Sequence, residues 1–269
     1  MKDRVAIDLH DNGVADVRMI RADKMNALDE AMFSGLIEAG EKLASMKGLR
    51  AVVLTGEGRA FCAGLDMGRF QDMKDKGEAM AGLRDLRART HGPANKPQWA
   101  AWLWRELPVP VIAAVHGVAF GGGFQVALGA DMRYATPDAK MSVMEIRWGL
   151  VPDVAGTQLM RHLAREDIVR ELTYTGRVFS GEEAFSYGLV TRVCAEPRAA
   201  ALETAREIAD KNPHAIRAAK RLLNLAVATD AETGLIAESA VQVMLIGSAN
   251  QIEAVRAQME KRLPKFAEA

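Results

Sequence analysis

Two cysteines are all that the 269 residues contain. Cys62 and Cys194 stand in apolar surroundings far apart in the chain and form neither a zinc-ligand spacing nor a disulfide framework. A reducing, cytoplasmic compartment is the expectation. Net charge is missing as well, with 35 Lys plus Arg against 35 Asp plus Glu. No global field draws nucleic acid or an acidic membrane to the surface, so a nucleic-acid partner is not expected and an anionic ligand must be met by local cations. His10, His91, His162 and His214 show no metal-ligand spacing, and no metal is expected. Long hydrophobic runs are absent too. The most apolar stretch, residues 109–120, is broken by Pro110, His116 and Gly117 and is too short to span a bilayer. The chain opens with Met1-Lys2-Asp3-Arg4 and runs into an alternating strand rather than the apolar block of a secretory signal.

What is present is a recurring order of strands and helices. Residues 4–10 and 14–20 alternate at period two around Asp11-Asn12-Gly13, which predicts a hairpin. A helix is expected from Asp29, with Met32, Phe33, Leu36, Ile37 and Leu43 on its buried face. Residues 49–55 and 111–115 read as buried strands, and each runs into a glycine-bearing turn. Short strands are expected at 133–135 and 140–142. Repeated strand, strand, helix units predict an α/β fold, a spiral of ββα units over residues 1–198. From 199 to 269 the pattern is helical, with starts at Asn212-Pro213 and Asp230. Leu235, Ile236, Val241, Val243, Met244, Leu245 and Ile246 cover more than one helix face, which predicts burial against another subunit. Residues 69–107 are irregular and are expected to form a mobile flap or a substrate-specific wall.

The two turns carry the chemistry. Gly58-Arg59-Ala60-Phe61-Cys62-Ala63-Gly64-Leu65-Asp66 and His116-Gly117-Val118-Ala119-Phe120-Gly121-Gly122-Gly123-Phe124-Gln125 each leave a strand and enter a helix-like segment. Each can therefore aim a free backbone N–H at a ligand. Two such donors converging on one point make an oxyanion hole, suited to holding negative charge on a carbonyl oxygen. His116 and Cys62 flank the turns, but no Gly-x-Ser-x-Gly elbow exists and neither has an identifiable partner, so both read as packing residues. Neither glycine cluster has the Gly-x-Gly-x-x-Gly spacing of a dinucleotide site.

These turns, together with Lys24-Met25-Asn26-Ala27-Leu28, Pro110-Val111-Ile112-Ala113-Ala114-Val115-His116-Gly117 and Gly149-Leu150-Val151-Pro152-Asp153, resemble the crotonase superfamily of enoyl-CoA hydratases and isomerases over nearly the whole length. The resemblance implies an acyl-CoA thioester substrate, an oxyanion hole formed by the N–H groups of Leu65 and Gly122, and a homotrimer or hexamer. It places the CoA moiety against Lys24, Met25, Ala27, Ala63 and Asp66, with Arg21, Lys24 or Arg59 near the phosphates. No cofactor is implied beyond the CoA carried by the substrate.

Hydratases of that family flank the double bond with two glutamates, and the corresponding positions here hold Gln125 and Glu145. The apolar flanks of Glu145 predict a carboxyl whose pKa is raised by desolvation, able to take and return a proton at carbon. An amide at 125 can hold a water or a carbonyl but cannot accept a proton at neutral pH. Asp153, which matches an aspartate used opposite a glutamate in dienoyl-CoA isomerases, is a candidate partner and equally a turn or capping residue. Double-bond isomerisation through Glu145 follows most directly. Hydration of a 2-enoyl-CoA, with Gln125 or Asp153 holding the water, is the alternative. A non-catalytic, RNA-binding relative is disfavoured by the balanced charge.

Overall fold

The computed structural model describes residues 3–66 and 86–268. Strands β1 (Val5–Leu9) and β2 (Val14–Met19) form the expected antiparallel hairpin, with Gly13 at φ +79° in its turn. Beyond it β3 (Ala51–Gly56) and β4 (Val111–Val115) continue the sheet in parallel, and every residue of both is buried. Continuous burial is what a parallel sheet covered on both faces requires. One face packs on helices Glu30–Ala44 and Lys96–Glu106 through Leu36, Leu43, Leu103 and Trp104. The other face is closed by helix Pro197–Ala209 through Ala201 and Ala205. Asp29 caps the first helix by accepting the Met32 N–H at 2.7 Å, and the expected Met32, Phe33, Leu36, Ile37 and Leu43 are buried.

The spiral forms because each later unit splits its strands between two sheets. After β4 comes β5 (Val118–Phe120), then helix Gly122–Leu128, then β6 (Met132–Ala135) and β7 (Lys140–Ser142). The large sheet has the order β1-β2-β3-β4-β6-β8, closed by β8 (Arg192–Val193), whereas β5 and β7 pair in parallel as a second sheet. This is the crotonase-type α/β spiral that the sequence predicts.

Residues 69–107 fare differently. The part of the expected flap at 69–85 lies outside the described residues. From Lys96 the segment is a core helix rather than a flap, with Trp104 fully buried. Its start is fixed by a capping box in which the Asn95 side chain accepts from the Gln98 N–H and the Gln98 side chain accepts from the Asn95 N–H, both at 2.9 Å. The C-terminal segment is helical at Pro213–Ala226, Ala231–Leu245 and Ala249–Glu260, with caps at Asn212 and Asp230 as expected. Leu235, Ile236, Val243 and Met244 stand 62–74 % exposed on it, while Val241 is buried.

One buried amide ties the first glycine turn to the preceding loop. Asn26 is fully buried at φ +54°, a left-handed conformation that Asn tolerates better than most side chains. Its Oδ1 accepts the Arg21 N–H at 2.9 Å, and its Nδ2 donates to the carbonyls of Glu57 at 3.0 Å and Ala60 at 2.9 Å. Asn26→Ala leaves these three groups unpaired, and a loss of about 3 kcal/mol in urea unfolding is expected, since each stranded buried group costs ~1–3 kcal/mol. A loss below about 0.5 kcal/mol, the range of an ordinary surface substitution, would show that the turn stands without this clamp.

Candidate active site

The two glycine turns lie side by side because their backbones pair. Phe61 N–H donates to His116 O at 2.9 Å, Cys62 N–H to Val118 O at 3.0 Å, and Phe120 N–H to Cys62 O at 3.1 Å. The approach is close enough to demand glycine. A Cβ on Gly64, at φ +88°, would sit 2.6 Å from Phe120 O, and one on Gly123 would sit 2.5 Å from Cys62 O. On the other side of the first turn Leu28 N–H donates to Gly64 O at 2.7 Å and Asp66 N–H donates to Leu28 O at 3.1 Å. These bonds use the groups on either side of Leu65 and leave the Leu65 N–H aimed away from them, as alternation in an extended strand requires. Gly122 opens its helix, where the first N–H groups lack an intrahelical acceptor. Among the described residues neither the Leu65 nor the Gly122 N–H has an acceptor. The two sequence-predicted oxyanion donors are thus free backbone groups on adjoining turns.

Glu145 comes to this place through the small sheet. Phe120 pairs with Ser142 in the β5–β7 register, and Gly121 N–H donates to Ser142 O at 3.0 Å. Three residues beyond Ser142 the chain enters the 3-10 turn Glu145–Trp148, with the Glu145 side chain buried beneath Gly121. A Cβ on Gly121 would lie 3.1 Å from Glu145 Oε1. That oxygen accepts the Gln125 Nε2–H at 2.5 Å, while Oε2 is buried and has no partner among the described residues. Burial pushes the Glu145 pKa upward, its own backbone N–H works against this, the nearby Asp153 carboxylate pushes upward as well, and the Gln125 donor works downward.

Gln125 is fully buried and fully engaged. Its Oε1 accepts the N–H groups of Val154 and Gly156, each at 2.9 Å. Ala155 between them has φ +62°, a left-handed conformation in which the flanking N–H groups converge on one oxygen. Two donors on one atom fix which end of the amide is oxygen, so its nitrogen must face Glu145. Gly156 leaves the room this needs, since a Cβ there would meet Gln125 Oε1 at 2.5 Å. Asp153 begins the same loop, open to solvent on one side, with partial burial raising its pKa. Gln125 and Glu145 are therefore in direct contact, and Asp153 is near enough for its charge to act on Glu145.

The expected CoA-contact residues form the adjoining rim. Met25 O accepts the Ala63 N–H at 2.9 Å, and Ala27 N–H donates to Lys24 O at 3.0 Å, so the segments holding Lys24, Met25 and Ala27 and those holding Ala63 and Asp66 meet. Lys24 and Arg59 are exposed there. Arg21 is not a free cation. It binds Asp66 at 2.6 Å and Asp29 at 3.2 Å and also donates to Ala27 O at 3.2 Å, which makes it a strut between the two segments. Sequence reasoning did not single out this strut, the Asn26 clamp or the Ala155 turn. Asn at a left-handed position was the one readable signal among them. Cys62 donates its thiol to Asn26 O at 3.1 Å and is buried with its pKa pushed up to about 12, and His116 Nε2 lies 2.9 Å from Gly58 O. Both fit the packing roles expected of them.

Residues 10–269 match the family model for enoyl-CoA hydratase/isomerase. The mitochondrial methylglutaconyl-CoA hydratase of Mus musculus is 31 % identical over 267 residues, spanning 97 % of this chain and 81 % of the relative. The mitochondrial Delta(3,5)-Delta(2,4)-dienoyl-CoA isomerase of the same species is 32 % identical, over 93 % of this chain and 77 % of the relative. Among solved structures, an enoyl-CoA hydratase from Bacillus anthracis superimposes with a TM-score of 0.86 at 30 % identity, covering 98 % of both chains. With the sequence match running through both glycine turns and the spiral shared from end to end, the chain belongs to the enoyl-CoA hydratase/isomerase family.

Proposed function

We propose that this enzyme isomerises the double bond of an enoyl- or dienoyl-CoA. The observation that carries the reading is a buried carboxylate between the glycine turns, Glu145, whose Oε2 has no partner among the described residues, facing a position 125 occupied by an amide whose oxygen is already saturated. For a 3-enoyl thioester, Glu145 removes a proton from the α-carbon and the electron pair moves onto the thioester oxygen. The Leu65 and Gly122 N–H groups hold the resulting dienolate, an arrangement in which each donor contributes about 2.7–4 kcal/mol. Glu145 then returns the proton to the γ-carbon, and the double bond moves into conjugation with the thioester. One base suffices and nothing but CoA's own thioester is required. Hydration instead adds water oxygen to the β-carbon and a proton to the α-carbon, which two carboxylates serve best.

A second reading, hydration of a 2-enoyl-CoA, is favoured by one observation. Asp153 is near enough to Glu145 for its charge to raise the Glu145 pKa, which supplies a second carboxylate for the two-acid chemistry of hydration. The exposed Leu235, Ile236, Val243 and Met244 support a homotrimer or a hexamer of two trimers, and the cysteine usage supports a cytoplasmic location.

Three outcomes are expected. Glu145→Gln lowers turnover by about 10²–10⁴, the usual contribution of a general base, while CoA-thioester binding in calorimetry is retained because the oxyanion donors are backbone groups. Substantial turnover in this variant would remove Glu145 from the proton transfer. Because burial and Asp153 raise the Glu145 pKa, activity should rise with pH along an acid limb displaced above the ordinary glutamate range. Asp153→Asn removes the like charge and moves that limb to lower pH with kcat largely kept. A fall in kcat of about 10²–10⁴ would instead make Asp153 a second proton carrier. Light scattering at micromolar concentration should give three or six times the subunit mass, and a clean monomer would contradict the assembly.

A further inference from the structure

The buried amide of Gln125 does more than fill the position of a missing acid. Its oxygen is committed to the Val154 and Gly156 N–H groups on either side of the left-handed Ala155, and its nitrogen to Glu145 Oε1 at 2.5 Å. No rotation of the amide preserves these bonds, since an amide flip would set the NH2 against two N–H donors. Gln125 holds one oxygen of Glu145. The other, Oε2, is buried and has no partner among the described residues.

Resting on the isomerase reading above, we propose that Gln125 is a positioning residue: clamped by the Val154–Gly156 loop, it holds Glu145 Oε1 and so commits Oε2 to carrying the proton. The amide also prevents a proton from being shared across the pair. A carboxyl at 125 would keep its two backbone donors on one oxygen but would set the other against Glu145 at hydrogen-bond distance, where two carboxylates cannot both ionise. The amide supplies a donor at every pH. Glu145 therefore gains or loses its proton without sharing it with position 125, which a base that both takes and returns the same proton needs.

Among the described residues few other charges reach Glu145. Asp153 is near enough for its charge to raise the Glu145 pKa. On helix Glu166–Thr175, packed against the Glu145–Trp148 turn, Glu166 pairs with Arg170, Asp167 with Arg165 and Glu171 with Arg177. Arg147, on the turn itself, and Lys140, on β7, are exposed, while β5 and helix Gly122–Leu128 carry no titratable side chain.

The test is a titration of the Glu145 carboxyl by 13C NMR in glutamate-labelled protein, its resonance identified by loss in Glu145→Gln, alongside the pH profile of turnover. In the parent Glu145 should titrate in one step. Gln125→Met, which removes the donor, should move that step and the acid limb of turnover to higher pH and lower kcat by tenfold or more, with KM little changed. Gln125→Glu keeps an acceptor for the loop and so remains informative even where the methionine variant fails to fold. In it Glu145 should titrate in two coupled steps, and turnover should acquire a new falling limb on the alkaline side as the shared proton leaves. Single-step titration at the parent pH in every folded variant would overturn the proposal and leave Gln125 a packing residue. Failure of the isomerase reading would show separately, as full turnover in Glu145→Gln, because the NMR titration needs no reaction at all.

Discussion

The site depends on one contact, the parallel pairing of two glycine turns through the Phe61, Cys62 and Phe120 N–H groups. The pairing fixes the spacing of the turns by backbone hydrogen bonds, so the Leu65 and Gly122 donors need no side chain to orient them. It also explains the glycines. At Gly64 and Gly123 the chains approach so closely that a side chain would strike backbone, and Gly121 leaves the space that the Glu145 carboxyl occupies. Asn26 and Arg21 then hold the first turn from behind, while the β5–β7 pair holds the second and delivers Glu145. The rigid frame and the reactive side chain are thus products of the same strand register.

Electrostatics decides what the frame does. A carboxylate is costly to bury, and Glu145 bears that cost with the Gln125 donor on Oε1 and, among the described residues, none on Oε2. A group left so poorly solvated binds a proton at a pH closer to neutrality than a free glutamate, which suits a base that must also release what it takes. A carboxylate at 125 would push that pKa further up and share the proton across the pair. Relatives of this chain include a named hydratase and a named isomerase, and the reading proposed for it rests on the amide at 125 beside Glu145.

Much of this was legible in the sequence because it is local. Strand period, Asp29 as a cap and the order of glycine turns each reflect interactions within a few residues. The positions of Glu145 and Gln125 came from resemblance, which supplied their proximity without its physical cause. What stayed hidden depends on distant partners. The role of Gln125 required the Val154–Gly156 loop, which bends through a left-handed alanine that no propensity favours. Arg21 looked like a phosphate ligand because its partner Asp66 lies 45 residues away. The stretch 96–106 looked irregular because prolines and glycine precede it, although Asn95 and Gln98 spell a helix start.

The central claim is that one buried carboxylate moves a proton between two carbons of the substrate and does not activate water. Initial rates of the native enzyme with a 3-enoyl-CoA and a 2-enoyl-CoA of the same acyl chain, followed respectively by appearance of the conjugated thioester and by addition of water, test it most directly. Isomerisation should exceed hydration by about 10²-fold or more, the least that a missing acid–base group is expected to cost. Hydration at an equal or greater rate would contradict the account and make the Glu145 and Asp153 pair, rather than Glu145 alone, the working unit.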